Sequence, residues 1–206
     1  MDKIVHVIGN GDMAGLYNLE PKKGLKVTCN IPPFEVPDSY STFMVDFKIM
    51  QAITAGEVEV PGEWILGMRP KVWMDKHPSF YIKRSHQIKE FFTDLPKYAA
   101  NYTDFNCGHM AVYWCCTKYN ADEVHIYGFD SIFDFNLRST SDLYLSSARD
   151  PNHSNKLKES WRPIWEHMFN QFKNIKFILY HNHNNIKITV PNNVSIKVQN
   201  PKGGKK

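Results

Sequence analysis

Near its start the chain carries a short apolar run, Ile4-Val5-His6-Val7-Ile8, which ends in Gly9-Asn10-Gly11-Asp12. The run predicts a buried strand, because β-branched residues pack well on a pleated surface. The glycine-bracketed turn behind it predicts a sharp passage from strand to helix. Such a turn aims backbone N–H groups at one spot, and the positive end of the following helix favours a phosphate there. An α/β domain that handles a nucleotide is the first expectation, although the motif is too short to name the nucleotide or the reaction.

The rest of the chain repeats the pattern. Leu25–Cys29, Ser41–Val45, Glu63–Leu66, Glu123–Tyr127 and Lys176–Tyr180 read as buried strands that stop at polar or turn residues. Ile186–Val190 and Val194–Val198, split by Pro191-Asn192-Asn193, read as a terminal hairpin or two edge strands. Helices are expected over Phe47–Ala55, Gly108–Tyr119 and Asn155–Phe172. The last shows Leu157, Trp161, Ile164, Trp165, Met168 and Phe172 on one face. Strand alternating with helix predicts a single Rossmann-like α/β domain over residues 1–200, with a mostly parallel sheet flanked by helices. Residues 128–154 interrupt the rhythm with a long polar stretch holding scattered rings, and they read as a lid after the fifth expected strand.

At 206 residues the chain is long enough for one sizeable core. Its net charge is +4, of which Lys202, Lys205 and Lys206 in a flexible basic tail over 201–206 supply three. The remaining body is close to neutral and lacks the dense basic stripe of a nucleic-acid binder, so no specific nucleic-acid partner is expected. Cys29, Cys107, Cys115 and Cys116 lack metal-type spacing and read as buried, reduced thiols of a cytoplasmic protein. No apolar run reaches membrane-spanning length, and a strand at the very start leaves no room for a signal peptide. Self-association into a homo-oligomer is compatible with this composition.

Gly9-Asn10-Gly11-Asp12-Met13-Ala14 fits the form G-x-G-x-x-G/A of a dinucleotide site. A dinucleotide site also wants an acid about twenty residues on, and none precedes Glu35, so the NAD reading loses its weight. Asn30 and Asp46 close the second and third strands, Asp130 follows the fifth, and Asn106-Cys107-Gly108 opens a helix. Each alone fits a cap or turn residue, but together they gather polar groups where α/β sheets bind ligands. His109 reads as a partner of local backbone. His181 and His183 share one face if the strand continues, which is metal-ligand spacing, but no third ligand is evident beside them, so they read as a polar cluster at a strand end.

Taken as a set, Val-Ile-Gly-Asn-Gly at the first turn, Cys29-Asn30, Asn106-Cys107-Gly108 and Glu-Val-His-Ile-Tyr-Gly-Phe-Asp ending at Asp130 resemble the bacterial sialyltransferases of glycosyltransferase family 42. The first and third motifs are also similar to those of the animal family 29 enzymes. His153-Ser154, ahead of a long helix and a further strand, stands where the family 42 pattern has its His-Ser pair. The resemblance runs over roughly residues 3–180 and implies a GT-A-like variant of the α/β fold. It also implies an inverting, metal-independent transfer of a sialic-acid-like sugar from a CMP-activated donor to a glycan or other hydroxyl acceptor.

On that resemblance Asn10 and Asn30 would bind donor phosphate and ribose or base, with backbone from Gly9, Gly11, Asn106, Cys107 and Gly108, and Asp130 would face the cytidine. His153 would be the general base. Tyr144 would bond the departing phosphate. The chain departs from the family by having Asn106-Cys107-Gly108 in place of Thr-Ser-Gly or Ser-Ser-Gly, and Asp12-Met13 in place of Pro-Ser. No cofactor is implied beyond the donor. A second resemblance, to archaeal-type hydroxymethylpterin diphosphokinases, implies Mg²⁺ held by carboxylates such as Asp46, Asp130 and Asp134. A non-catalytic nucleotide binder is the third reading.

Overall fold

The structure is a computed structural model that describes residues 2–20, 22–98, 104–134 and 157–200. Eight strands form one sheet: β1 (Ile4–Ile8), β2 (Leu25–Cys29), β3 (Ser41–Met44), β4 (Trp64–Leu66), β5 (Ile88–Phe91), β6 (Glu123–Tyr127), β7 (Lys176–His181) and β8 (Val194–Val198). Their order is β5-β4-β3-β2-β1-β6-β7-β8, and every neighbouring pair is parallel. Among the described residues the α-helices are α1 (Lys48–Thr54), α2 (Met68–Asp75), α3 (Pro78–Arg84), α4 (Cys107–Thr117) and α5 (Arg162–Gln171). The expected Rossmann-like α/β class is the class observed.

A parallel sheet is covered on both faces, so its strands are expected to be largely apolar on both sides. Most of their buried residues are, with His6, Thr28, Ser41 and Thr42 among the polar exceptions. Val5, Val7, Val27, Phe43, Ile65, Val124, Ile126, Phe177 and Leu179 join residues of α4 and α5 in one buried cluster. The alternate residues Met44, Trp64 and Leu66 pack with α1, Met74 of α2 and Phe80 of α3. Ile8, Tyr127 and Tyr180 pack with Ala14, Leu16 and Tyr17 of the segment after β1. That segment, Asp12–Leu19, is a 3₁₀ helix, whose poorer hydrogen-bond geometry makes it a weaker anion-binding terminus than an α-helix.

Two expected elements come out differently. Residues 186–190 form no strand, and β8 runs parallel to β7, so there is no terminal hairpin. A parallel partner obliges the chain to return to the starting edge of the sheet. Residues 186–190 are part of that return path, with Ile188 buried and the Thr189 N–H donating to Glu166 Oε1. The expected Asn155–Phe172 helix is described from residue 157, as a π-helical turn over Leu157–Trp161 followed by α5. Pro163, in the first turn of α5, has no N–H to extend the earlier turn, which accounts for the break.

The elements not expected were β5, α2 and α3. Ile88-Lys89-Glu90-Phe91 carries two charges because it is an edge strand, so it lacks the apolar signature of its neighbours. The chain runs outward from β1 to β5 and then crosses back to place β6 on the other side of β1. The β1/β6 boundary is therefore the topological switch point, and the C-terminal ends of these two strands border the crevice where such folds bind ligands.

Candidate functional site

At the switch point the two turns lock onto each other. The Gly9 N–H donates to Tyr127 O (2.7 Å), the Gly11 N–H to Gly128 O (3.0 Å) and the Met13 N–H to Asp130 Oδ2 (3.2 Å). The glycines make room for protein rather than for a ligand. A Cβ on Gly9 would lie 2.8 Å from Gly128 O, one on Gly11 2.6 Å from Asp130 Oδ2, and one on Gly108 2.2 Å from Phe129 Cε1. The N–H groups expected to cradle a phosphate are thus largely engaged within the chain, and the anion in the first turn is the Asp130 carboxylate. Asp130 is 8% exposed, and burial pushes its pKa up to about 6 against the lowering effect of the Met13 N–H. Asn10 lies half-buried in the same turn, between Gly9 and Gly11.

One strand away, a second set of expected residues meets. Asn30 follows β2 with φ +50°, a left-handed conformation that asparagine tolerates better than most residues. The Cys107 S–H at the start of α4 donates to Asn30 Oδ1 (2.8 Å), while the Val45 N–H donates to the same sulfur (3.4 Å). Burial pushes the Cys107 thiol up to about 12, so it is protonated and able to donate at neutral pH. With Oδ1 held by the thiol, the donor that Asn30 can offer to a phosphate or ribose is its amide group. Asn106 caps α4: its Oδ1 accepts the His109 N–H (2.9 Å), and its own N–H donates to His109 Nδ1 (3.1 Å). His109 is therefore a backbone partner, as its position at the helix start suggested.

A third cluster was only half visible in the sequence. His181, at the end of β7, and His183 both turn Nε2 toward Asp134, at 3.1 Å from its Oδ2 and Oδ1 respectively. Asp134 lies in the turn after β6, and the fold alone brings it to the two imidazoles. Arg162, at the start of α5, holds that turn from below. Its Nε donates to Ser131 O (2.8 Å) and its Nη2 to Asp134 O (3.1 Å). Replacing Arg162 with methionine should lower stability by about 2–4 kcal/mol, since it strips two carbonyls of a charged donor. Urea unfolding measures this, and a loss below about 0.5 kcal/mol would show that Arg162 does not hold the turn.

Asp46 accepts the Lys48 N–H (3.0 Å) and lies 3.4 Å from Arg69 Nη2. It lies two residues after β3, which is three strands from β6 in the sheet order, a separation of about 14 Å. Asp46 therefore does not join Asp130 and Asp134 around one ion. A cavity of about 130 Å³ opens after the ends of β3, β4 and β5, lined among others by Gly67, Arg69, Leu95, Phe105 and Val45, the residue whose N–H reaches Cys107. Ligand pockets run to roughly 300–1,000 Å³, so it could take part of a nucleotide-sized molecule. Tyr144 and His153 lie outside the described residues. Among the described residues no helix is long and apolar enough to cross a membrane, and all four cysteines are buried and free.

Compared with known proteins, the chain matches no family model, no curated protein and no solved structure.

Proposed function

We propose that this chain is a glycosyltransferase of sialyltransferase type. It transfers a sialic-acid-like sugar from a CMP-activated donor to a hydroxyl acceptor, with inversion and without a metal. The observation that carries the reading is the 2.8 Å contact between Cys107 and Asn30, 77 residues apart. Two short motifs of the resemblance, separate in sequence, meet at one point on the C-terminal edge of the sheet, beside the switch point and an open cavity. In this reading the donor lies along that edge, with the Asn30 amide and the start of α4 toward the phosphate and ribose. His153 removes the acceptor proton, and Tyr144 assists the departing phosphate. The position of Asp130 supports a role in shaping the first turn rather than in touching the base. The spread of Asp46 away from Asp130 weighs against a diphosphotransferase built on those carboxylates.

Thermal shifts against CMP, CDP, UDP, GDP and ATP, each with and without Mg²⁺, test the donor. CMP at a hundredfold excess over its Kd should add about 2.7 kcal/mol, unchanged by chelator. His153→Ala should then lower turnover by roughly 10²–10⁴-fold while the CMP shift stays intact. A protein blind to CMP, or one that answers only to ATP with Mg²⁺, overturns the reading.

A further inference from the structure

The cluster at the end of β7 holds two buried polar atoms whose geometry the hydrogen-bond network leaves unanswered. His181 Nε2 and Asp130 Oδ1 have no hydrogen-bond partner, although the two side chains are only 2% and 8% exposed. They face each other at 3.9 Å, and Asp134 Oδ2 lies 3.1 Å from the same Nε2, an ion pair when the ring is protonated. His183 Nε2 completes the group at 3.1 Å from Asp134 Oδ1, and one ligand atom each from Asp134, His181 and His183 lie within 4.8 Å of one another. Asp130 Oδ1 has nothing nearer than that ring at 3.9 Å, and a buried carboxylate oxygen so poorly answered costs free energy that a cation among these groups would remove.

We propose that Asp134, His181 and His183, with Asp130 at the rim, form a binding site for a first-row divalent transition metal of the Zn²⁺ class. Metal–ligand bonds of about 2.0–2.2 Å place neighbouring ligand atoms roughly 3–3.5 Å apart, close to the separations around Asp134. Two imidazoles and a carboxylate favour zinc and its neighbours over Mg²⁺ or Ca²⁺, which prefer all-oxygen sites. Phe133, stacked on the His181 ring at 4.2 Å between centroids, walls one side.

The site has a built-in cost. The His183 and Asn185 N–H groups lie 3.4 and 3.1 Å from Nδ1 of His181 and His183, which puts the ring protons on the Nε2 atoms. Coordination through Nε2 moves each proton to Nδ1 and turns those two amides away. Asn182, Asn184 and Asn185 are exposed, so the turn can yield. Affinity is correspondingly below that of a preformed structural zinc site. The metal would tie the end of β7 to the turn after β6, and the inference stands apart from the proposed transfer reaction.

The test is a Zn²⁺ titration of the full-length, tag-free protein against a chromophoric chelator, with Mg²⁺ as control and Co²⁺ as a spectroscopic probe. The expected result is a single Zn²⁺ site, a visible Co²⁺ spectrum, a melting temperature raised by Zn²⁺ and no response to Mg²⁺. Asp134→Asn and His183→Gln should each weaken Zn²⁺ binding by more than the roughly 10–100-fold that loss of an outer partner costs. Their side chains are 41% and 37% exposed, so both variants should fold. Zn²⁺ binding equal in wild type and both variants, or a wild type that does not bind it, overturns the proposal.

Discussion

Lowering the pH from 6.5 to 4 is expected to cost the protein about 3 kcal/mol at each of two buried histidines. Burial is the main cause at both. It holds His6 down at about 4 and His109 at about 3, from an ordinary value of 6.5. Their hydrogen bonds agree, because each ring is built in as the neutral tautomer. His6 Nε2 donates to Lys23 O (2.8 Å), and its Nδ1 accepts from Tyr127 Oη (3.2 Å). His109 Nε2 donates to Trp161 O (3.0 Å), and its Nδ1 accepts the Asn106 N–H (3.1 Å). A proton added at Nδ1 would meet a donor.

The unfolded chain binds these protons below pH 6.5 and the native chain does not, so falling pH favours unfolding across the window. The stability is full above 6.5 and drains as the pH approaches the native values. Together the two groups withdraw about 6 kcal/mol, a large share of the 5–15 kcal/mol typical of a folded protein. Urea unfolding at a series of pH values measures it. His109→Gln should lower the slope by one proton's share, about 1.4 kcal/mol per pH unit, whatever it does to stability at pH 7 and with the opposing titration of Asp130, held up at about 6, left in place. An unchanged slope would mean that His109 does not carry the effect.

The second large effect is expected at Gly128. Its φ is +73°, and a Cβ there would lie 2.6 Å from Ala14 Cβ and 2.9 Å from Ala14 Cα. Alanine at this position pays about 1–2 kcal/mol of left-handed strain. It pays about 1–3 kcal/mol more for crowding, because the obstacle is the backbone of the first turn. A total near 3 kcal/mol corresponds to a melting temperature lower by roughly 6–12 °C for a chain of this size. Two further variants separate the causes. Gly56 has φ +75° with nothing within 4 Å of its would-be Cβ, and Gly15 has neither a positive φ nor a neighbour within 4 Å. Gly56→Ala should pay strain alone, and Gly15→Ala should be close to neutral. Equal shifts in all three would show that the turn after β6 is not packed against the turn after β1.

Much of the fold was legible because a buried parallel strand must be apolar on both sides, a pattern that survives in one dimension. β1, β2, β3, β4, β6 and β7 carry it in most of their residues, and all but β3, which runs on into Val45, are followed directly by glycine or asparagine. β5 did not stand out, because an edge strand keeps charged residues such as Lys89 and Glu90. Residues 186–190 looked like a strand because their apolar side chains cover the core while crossing it. Period alone does not separate a path across the core from a strand within it.

At the candidate site the sequence determined which chemistry is present: asparagines, acids, histidines and glycines at strand ends and helix starts. Tertiary structure decided what each of them faces. Gly9 and Gly11 read as a phosphate turn and Asp130 as a contact to the cytidine, and in the fold the three close one turn on another, because the strand order places β6 beside β1. Asn30 and Cys107 show no relation in sequence until α4 crosses β2 and β3. His181 and His183 acquire Asp134 only when β7 pairs with β6 and carries their ends level with the turn after Phe133. Hydrophobic pattern is a local property of the chain, whereas the partner of a polar side chain depends on strand order and register, which single residues do not encode.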